Sequence, residues 1–262
     1  MQPEPRPAPA RLHPGPGRVP AAPELNAPVA IRFDHIALAQ RRIEDAAPFL
    51  TGVLGGVRDY GRLSGPYRWA QWRFAGGGRL ELLEPAGADG FLHRFLARQG
   101  PGVHHVTFRV RSLDEACRRA ASHGYQIVGY DDSDPRWKEA FLHPKQALGI
   151  VVQFAEAAAG EPRRPRPMPP PGAPPAVQIA GLRLRAHAPE RADTQWRDVL
   201  GATRSAGKDG ALAYRWAASA LAITVEIDPV HDEGPIAIEI AGERAHAFVG
   251  AECPPGMRFS LA

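Results

Sequence analysis

Four short stretches decide how this chain folds: Phe33-Asp34-His35-Ile36-Ala37-Leu38, Arg79-Leu80-Glu81-Leu82-Leu83-Glu84-Pro85, Val103-His104-His105-Val106-Thr107-Phe108 and Gly149-Ile150-Val151-Val152-Gln153-Phe154. Each reads as a β-strand, and each sets polar residues inside an apolar run. An unpaired polar group there costs several kcal/mol on burial, so these side chains need partners. Two imidazoles, a carboxylate and an amide oxygen (His35, Glu81, His105 and Gln153) form a donor set suited to a divalent first-row metal. A single histidine in an apolar strand is more often a hydrogen-bonded core residue. Four such residues on four strands are harder to read that way, and a shared ion stands as the other reading.

Around these strands the sequence alternates in a repeated order. A strand over 31–39 leads into a helix over 43–54 that Gly55-Gly56 stops. Strands over 68–74 and 80–83 flank a turn at Gly76-Gly77-Gly78, and 91–99 reads as a linking helix. The order then restarts: a strand over 104–110, a helix over 113–123 with Ser112 as N-cap, and strands near 126–130, 139–143 and 149–154. The expected unit is βαβββ, present twice between 29 and 157.

Two proline-rich tracts bound this region. Residues 1–28 hold too many prolines for helix or strand and are expected to be disordered; 158–176 reads as a stiff polyproline linker. Beyond it, 177–262 repeats the first module in degenerate form. Val53-Leu54-Gly55 returns as Val199-Leu200-Gly201, and Tyr67-Arg68-Trp69-Ala70 returns verbatim as Tyr214-Arg215-Trp216-Ala217. This alignment sets Leu182 opposite His35 and Val225 opposite Glu81, so the third module is expected to lack the metal positions. It should pair its repeated strand as the first module does, and pack as a lid or a dimerisation element beside an exposed linker.

Composition narrows the classes. Cys117 and Cys253 alone make neither a disulfide framework nor a cysteine zinc site, which fits a reducing cytoplasm. No run of ~18 apolar residues is present, so no membrane-spanning helix is expected, and the N-terminus lacks the apolar core of a secretory signal. The net charge of +4 comes largely from arginines in the tail and linker, and no basic helix face speaks for nucleic acid.

Tandem βαβββ units with a histidine on each first strand and an acid late in the first unit resemble the vicinal oxygen chelate superfamily. Within it, Asp34-His35-Ile36-Ala37, Leu80-Glu81-Leu82-Leu83-Glu84-Pro85, His104-His105-Val106 and Phe141-Leu142-His143-Pro144-Lys145 are similar to the methylmalonyl-CoA epimerases. The resemblance implies an α+β fold with a cupped mixed sheet and one divalent ion (Co, Mn, Ni, Zn or Fe) held by His35, Glu81, His105 and Gln153. It also implies an acyl-CoA or small carboxylate as substrate, isomerase or lyase chemistry through an enolate, and a homodimer as one expected arrangement. Alternation puts His35 on one face with Ala37 and Ala39, which would leave room above the ion, and turns Glu84 and His104 away.

One departure matters. The epimerases carry a glutamate at the position of Gln153, where it serves as a proton-transfer base; an amide has no basicity near neutral pH. A second base position of some relatives falls near Gln71, also an amide. Glu139 is the nearest candidate to replace them, its alternative being a surface ion pair. Gln71, His143 and Lys145 are the candidate substrate contacts. Two other readings remain: a small-molecule-sequestering protein without catalysis, and a non-haem iron dioxygenase.

Overall fold

The computed structural model describes residues 31–158 and 168–262. The expected tail at 1–28 and most of the linker lie outside the described residues. The first half forms one eight-stranded mixed sheet in the order β2-β3-β4-β1-β5-β8-β7-β6. Its strands are β1 (Arg32–Ala39), β2 (Val57–Ser64), β3 (Tyr67–Arg73), β4 (Arg79–Pro85), β5 (Gly102–Arg109), β6 (Ile127–Asp134), β7 (Trp137–Leu142) and β8 (Val151–Ala157). Strands β1 and β5 run antiparallel at the centre, and each carries its module's last strand in parallel on its outer side. The two βαβββ units are thus joined through their first strands.

The helices depart from the expected pattern in one place. Helix α1 (Phe91–Gln99) and helix α2 (Leu113–Ser122) form as read, with the Ser112 side chain accepting from the Glu115 amide. The 43–54 segment is instead a 3-10 turn at Ile43–Asp45 followed by a π-turn at Phe49–Val53, closed by the Leu54 amide on the Phe49 carbonyl at 3.0 Å. Pro48 has no amide proton to continue an α-helix from the turn before it. Strand β2, an edge strand with no buried residue, was not expected from the sequence.

The sheet has two unlike faces. Ile36, Leu38, Leu80, Leu82, Val106, Phe108, Val152 and Phe154 point to the convex face and enter the main core with the helices. Ala37, Ala39 and Leu83 point to the concave face, where Leu92 and Leu96 of α1 cover them. The two alanines therefore do not leave room above the ion; they let a helix settle beside it.

A β-bulge makes both faces available to one strand. In β1, Phe33 pairs with Phe108 and His35 with Thr107, so Asp34 is an extra residue between consecutive rungs. Phe33 stacks on Phe108 in the core (4.8 Å between centroids), whereas His35 turns into the cup.

The second half forms a six-stranded sheet in the order β10-β11-β12-β9-β13-β14. It comprises β9 (Gln178–Ala186), β10 (Thr203–Ala206), β11 (Leu212–Arg215), β12 (Ala222–Ile227), β13 (Gly234–Ala241) and β14 (Phe259–Leu261). This order repeats that of the first sheet without its last two strands. Residues 177–262 thus hold a third module plus the first and last strands of a fourth, which the sequence reading did not separate. The segment Pro189–Val199 supplies its helix and ends, like the first, in a π-turn, with the Leu200 amide on the Gln195 carbonyl. The Val-Leu-Gly repeat marks this shared feature: Gly55 and Gly201 both take positive φ just after it.

Strand register corrects the alignment made from sequence. Tyr214 pairs with Ile223 and its hydroxyl donates to Asp193 on the preceding helix; Trp72 pairs with Leu80 and donates to Thr51 on its own. Tyr214 therefore corresponds to Trp72, not to Tyr67, and the verbatim tetrapeptide is not a structural repeat. Trp216 and Ala217 lie past the end of β11. Leu182 and Val225 face the core, so they do not correspond to His35 and Glu81. Those positions belong to Gly181, which pairs with Glu239 as His35 pairs with Thr107, and to Thr224, which pairs with Arg183 as Glu81 pairs with Ala37. A slip of one residue exchanges the faces of a strand, and this one did.

The two sheets pack back to back and share a single core. Trp216 stands between them, its ring 4.8 Å from Phe108, 5.8 Å from Phe33 and 6.4 Å from Trp196. The second half therefore lines the convex back of the first sheet and is not a lid over the cup. The linker is tied down where it ends: Arg244 donates to the carbonyls of Pro175 and Val53, and just beyond it the Val177 amide donates to the Leu54 carbonyl.

Candidate metal centre

His35, Glu81 and His105 converge from β1, β4 and β5 on the concave face. Their nearest donor atoms all lie within 4.8 Å of one another, and all three residues are buried. Ala37 is the register partner of both Glu81 and His105, which fixes the three side chains on one face. Donors on one ion at ~2.0–2.2 Å each lie at most ~4.4 Å apart, so a contraction of ~0.5 Å would close the set. The donor set and its spacing fit a divalent ion.

Each donor is oriented by a neighbour, as metal ligands require. The Asp34 carboxylate lies 3.0 Å from His35 Nδ1, leaving Nε2 to face Glu81 Oε2 at 3.7 Å. Gln71 donates to Glu81 Oε2 at 2.8 Å, while its own Oε1 is buried without a partner. His104 places its Nδ1 3.0 Å from His105 Nδ1 and packs its ring against Phe91 and Phe95 of α1. It is therefore not turned away as alternation implied: β1 and β5 shift register between Ala37–His105 and Leu38–Val103, which leaves His104 as an extra residue on the side that α1 covers.

A hydrogen-bond chain runs across the cup from His35. Its Nε2 lies 3.0 Å from Thr107 Oγ1; that hydroxyl donates to Gln153 Oε1 at 2.6 Å; and Gln153 Nε2 donates to Glu139 Oε2 at 2.8 Å. Trp137 Nε1 donates to the same Glu139 oxygen. Gln153 thus touches the three-residue cluster through Thr107 and lies beside His105. Glu139 is not paired with Lys138, whose ammonium goes to Glu156.

The two histidines have opposite electrostatics. Burial disfavours a charged His35, but the carboxylates of Glu81 and Asp34 outweigh it and raise its pKa to about 9. Its imidazolium then donates to Thr107 and Asp34, with a proton where an ion would sit. Burial, with repulsion from His104 and His35, holds His105 well below its ordinary value and keeps it neutral. Burial likewise pulls His104 down to about 4.

Not every residue singled out from sequence reaches the cup. His143 and Lys145 sit exposed on the turn after β7, where His143 Nδ1 accepts from the Lys145 amide. Phe141, not His143, shares the rung with Gln153. Gln71 is present but engaged with Glu81. Sequence reading missed Asp34 and Thr107, although both stood in the quoted stretches. Thr107 had a signal: it lies two residues from His105 on the same strand face. In the second sheet, the places of His35, Glu81, His105 and Gln153 are taken by Gly181, Thr224, Ala237 and Ser260. An Arg183–Glu239–Thr224 network fills that centre instead.

Residues 34–141 match the model of the Glyoxalase/Bleomycin resistance protein/Dioxygenase superfamily. The chain belongs to this family, the vicinal oxygen chelate proteins. Among its relatives is the uncharacterised protein YqjC of Bacillus subtilis, 33% identical over 131 residues that span 48% of this chain and 91% of that protein. The mitochondrial methylmalonyl-CoA epimerase of Homo sapiens is 28% identical over 145 residues, spanning 48% of this chain and 74% of the enzyme. The crystal structure of methylmalonyl-CoA epimerase from Mycobacterium tuberculosis covers 52% of this chain and 93% of its own, at 25% identity and a TM-score of 0.46.

Proposed function

We propose that the first sheet is a divalent-metal enzyme of isomerase or lyase type, acting on an acyl-CoA or a small carboxylate. The observation that carries this reading is the convergence of His35, Glu81 and His105 from three strands, each with an orienting partner. The epimerase relatives supply the substrate class. His35, Glu81 and His105 would hold the ion, with Gln153 Oε1 as a weaker fourth donor once Thr107 turns away. A bound divalent ion would act as a Lewis acid, stabilising negative charge that develops on a substrate oxygen.

The remaining chemistry falls to the chain. Gln153 cannot take a proton, but it positions a carboxylate that can. Glu139 Oε2 is occupied by two donors, and its Oε1 has no hydrogen bond among the described residues. We assign the proton-accepting role to Glu139 Oε1. Thr107 and Gln153 tie Glu139 to the centre, so its distance from the ion is set by hydrogen bonds within one sheet face. Helix α1, seated on Ala37 and Ala39, keeps water from one side of the cup.

Metal analysis of untagged protein should show one divalent ion per chain, lost in His105→Ala. The second measurement is deuterium uptake at the α-carbon of methylmalonyl-CoA in heavy water. Uptake that survives in wild type and is lost in Glu139→Gln supports the assignment. Stoichiometric metal without exchange on any acyl-CoA would refute the enzyme reading in favour of binding without catalysis.

A further inference from the structure

Four arginines stand on the face that carries the metal cluster, three of them two residues along their strands from a site residue. Arg79 follows from Glu81 on β4, Arg73 from Gln71 on β3 and Arg109 from Thr107 on β5, while Arg32 pairs with Arg109 from β1. The pairing is unusual in its charges. Arg32 lies directly across from Arg109, and Arg73 directly across from Arg79. Like charges directly opposed on neighbouring strands destabilise a sheet. This end of the cup holds two such pairs side by side.

Resident carboxylates offset only part of this charge. Asp34 accepts from Arg32 and Arg79, and Asp59 from Arg73. Arg109 has no carboxylate within ion-pair distance among the described residues; its guanidinium lies over the Trp137 ring at 4.6 Å. Four guanidinium groups against two carboxylates leave two positive charges in excess. A cavity of about 630 Å³ opens beside this group, lined by three of the four arginines (Arg32, Arg73 and Arg79) and Asp34, and otherwise by seam residues of the Gly76–Gly78 turn, 173–176 and 218–221; Arg109 stands outside its lining. That volume lies within the range of small-molecule sites.

We infer that this arginine group is an anion-binding station that holds a phosphate or carboxylate group of a small molecule at the end of the cup. An anion would supply the missing negative charge, and guanidinium forks suit both groups. The station touches the metal cluster through one residue: Asp34 accepts from Arg32 and Arg79 on one side and contacts His35 Nδ1 on the other. A molecule that reached from the station to the cluster would carry its anionic group apart from its reacting carbon. As a statement about the substrate, this rests on the metal-enzyme reading; as a binding site, it stands without it.

The test is calorimetric titration of metal-free protein at low salt with two probes, inorganic pyrophosphate and propionate. At least one should bind, and binding should weaken on raising ionic strength. Tighter binding of pyrophosphate marks a phosphate station, and tighter binding of propionate a carboxylate station. Arg32→Gln with Arg109→Gln should weaken the bound probe by about tenfold or more, while Arg32→Lys with Arg109→Lys should keep it within a few-fold. The charge-keeping pair separates lost charge from lost packing, should the glutamine pair fold poorly. His105→Ala should lose metal yet bind the probe as wild type does. No binding of either probe to wild type, or affinity unchanged in a folded Gln pair, would overturn the station. A protein that binds the probe but never takes metal would overturn the enzyme reading alone.

Discussion

Trp216→Ala tests whether the two sheets are one energetic unit. The side chain is almost fully buried between Phe33, Phe108 and Trp196, and its Nε1–H donates to the Leu200 carbonyl at 2.6 Å. Removing roughly 200 Å² of buried ring at ~25 cal/mol per Å² costs ~5 kcal/mol, less the part that alanine retains. An orphaned carbonyl adds ~1 kcal/mol. The expected loss is ~4–6 kcal/mol, a large share of the ~5–15 kcal/mol that holds a typical domain. Native-state hydrogen exchange gives the readout strand by strand. Amides of β5 in the first sheet and β9 in the second should lose protection together. If β9 loses its protection while β5 keeps the wild-type value, the sheets fold independently and the shared core does not couple them.

Four further outcomes follow from the site and the seam. Metal-free protein should lose ~3 kcal/mol of stability as pH rises from about 6.5 to about 9, because His35 is protonated in the folded state up to about 9 and its charge stabilises only below that; chemical denaturation at both ends of this window checks it, and Glu81→Gln should flatten the slope. Gln153→Glu places a carboxylate beside His105 but removes the amide that donates to Glu139, so α-carbon deuterium exchange should persist in the double variant with Glu139→Gln; loss of exchange there would show that position 153 cannot serve as the base. Thr107→Val should leave metal stoichiometry intact but lower exchange, since it cuts the link from His35 to Gln153. Gly78→Ala should destabilise by ~1–3 kcal/mol, as φ is +82° and a Cβ would meet the Ile179 carbonyl oxygen at 2.4 Å; unchanged melting would show that the seam yields there.

The first sheet was legible in the sequence where burial leaves a trace. His35, Glu81, His105 and Gln153 stood out because each interrupts an apolar run, and the structure sets all four on one face. Edge strands leave a weaker trace: β2 and β10 bury nothing and went unread, and β6, which also buries nothing, was read only over its apolar start. Pro48 was visible, yet its effect on the helix was outweighed by the glycine stop after it. The second half misled through coincidence, since Tyr-Arg-Trp-Ala recurs five positions out of register. Alternation in β9, Leu182-Arg183-Leu184-Arg185, does mark the leucines as the core face, opposite to the face that His35 takes in β1, but the tetrapeptide match overrode it. The arginine station was unreadable because its pairs form across strands, not along one.

The bulge at Asp34 makes the strand behave like a reading frame. Upstream of it, Phe33 is addressed to the core; downstream, His35 is addressed to the cup, and one supernumerary residue changes the phase between them. Substitution at position 34 would alter the hydrogen bonds to Arg32, His35 and Arg79, but deletion would change the meaning of everything before it. Phe33 would be delivered to the polar face, and Arg32 to an interior already filled by Phe108 and Trp216. A chain of this architecture can exchange ligands, bases and arginines one at a time, whereas the length of this strand is the one quantity it cannot edit.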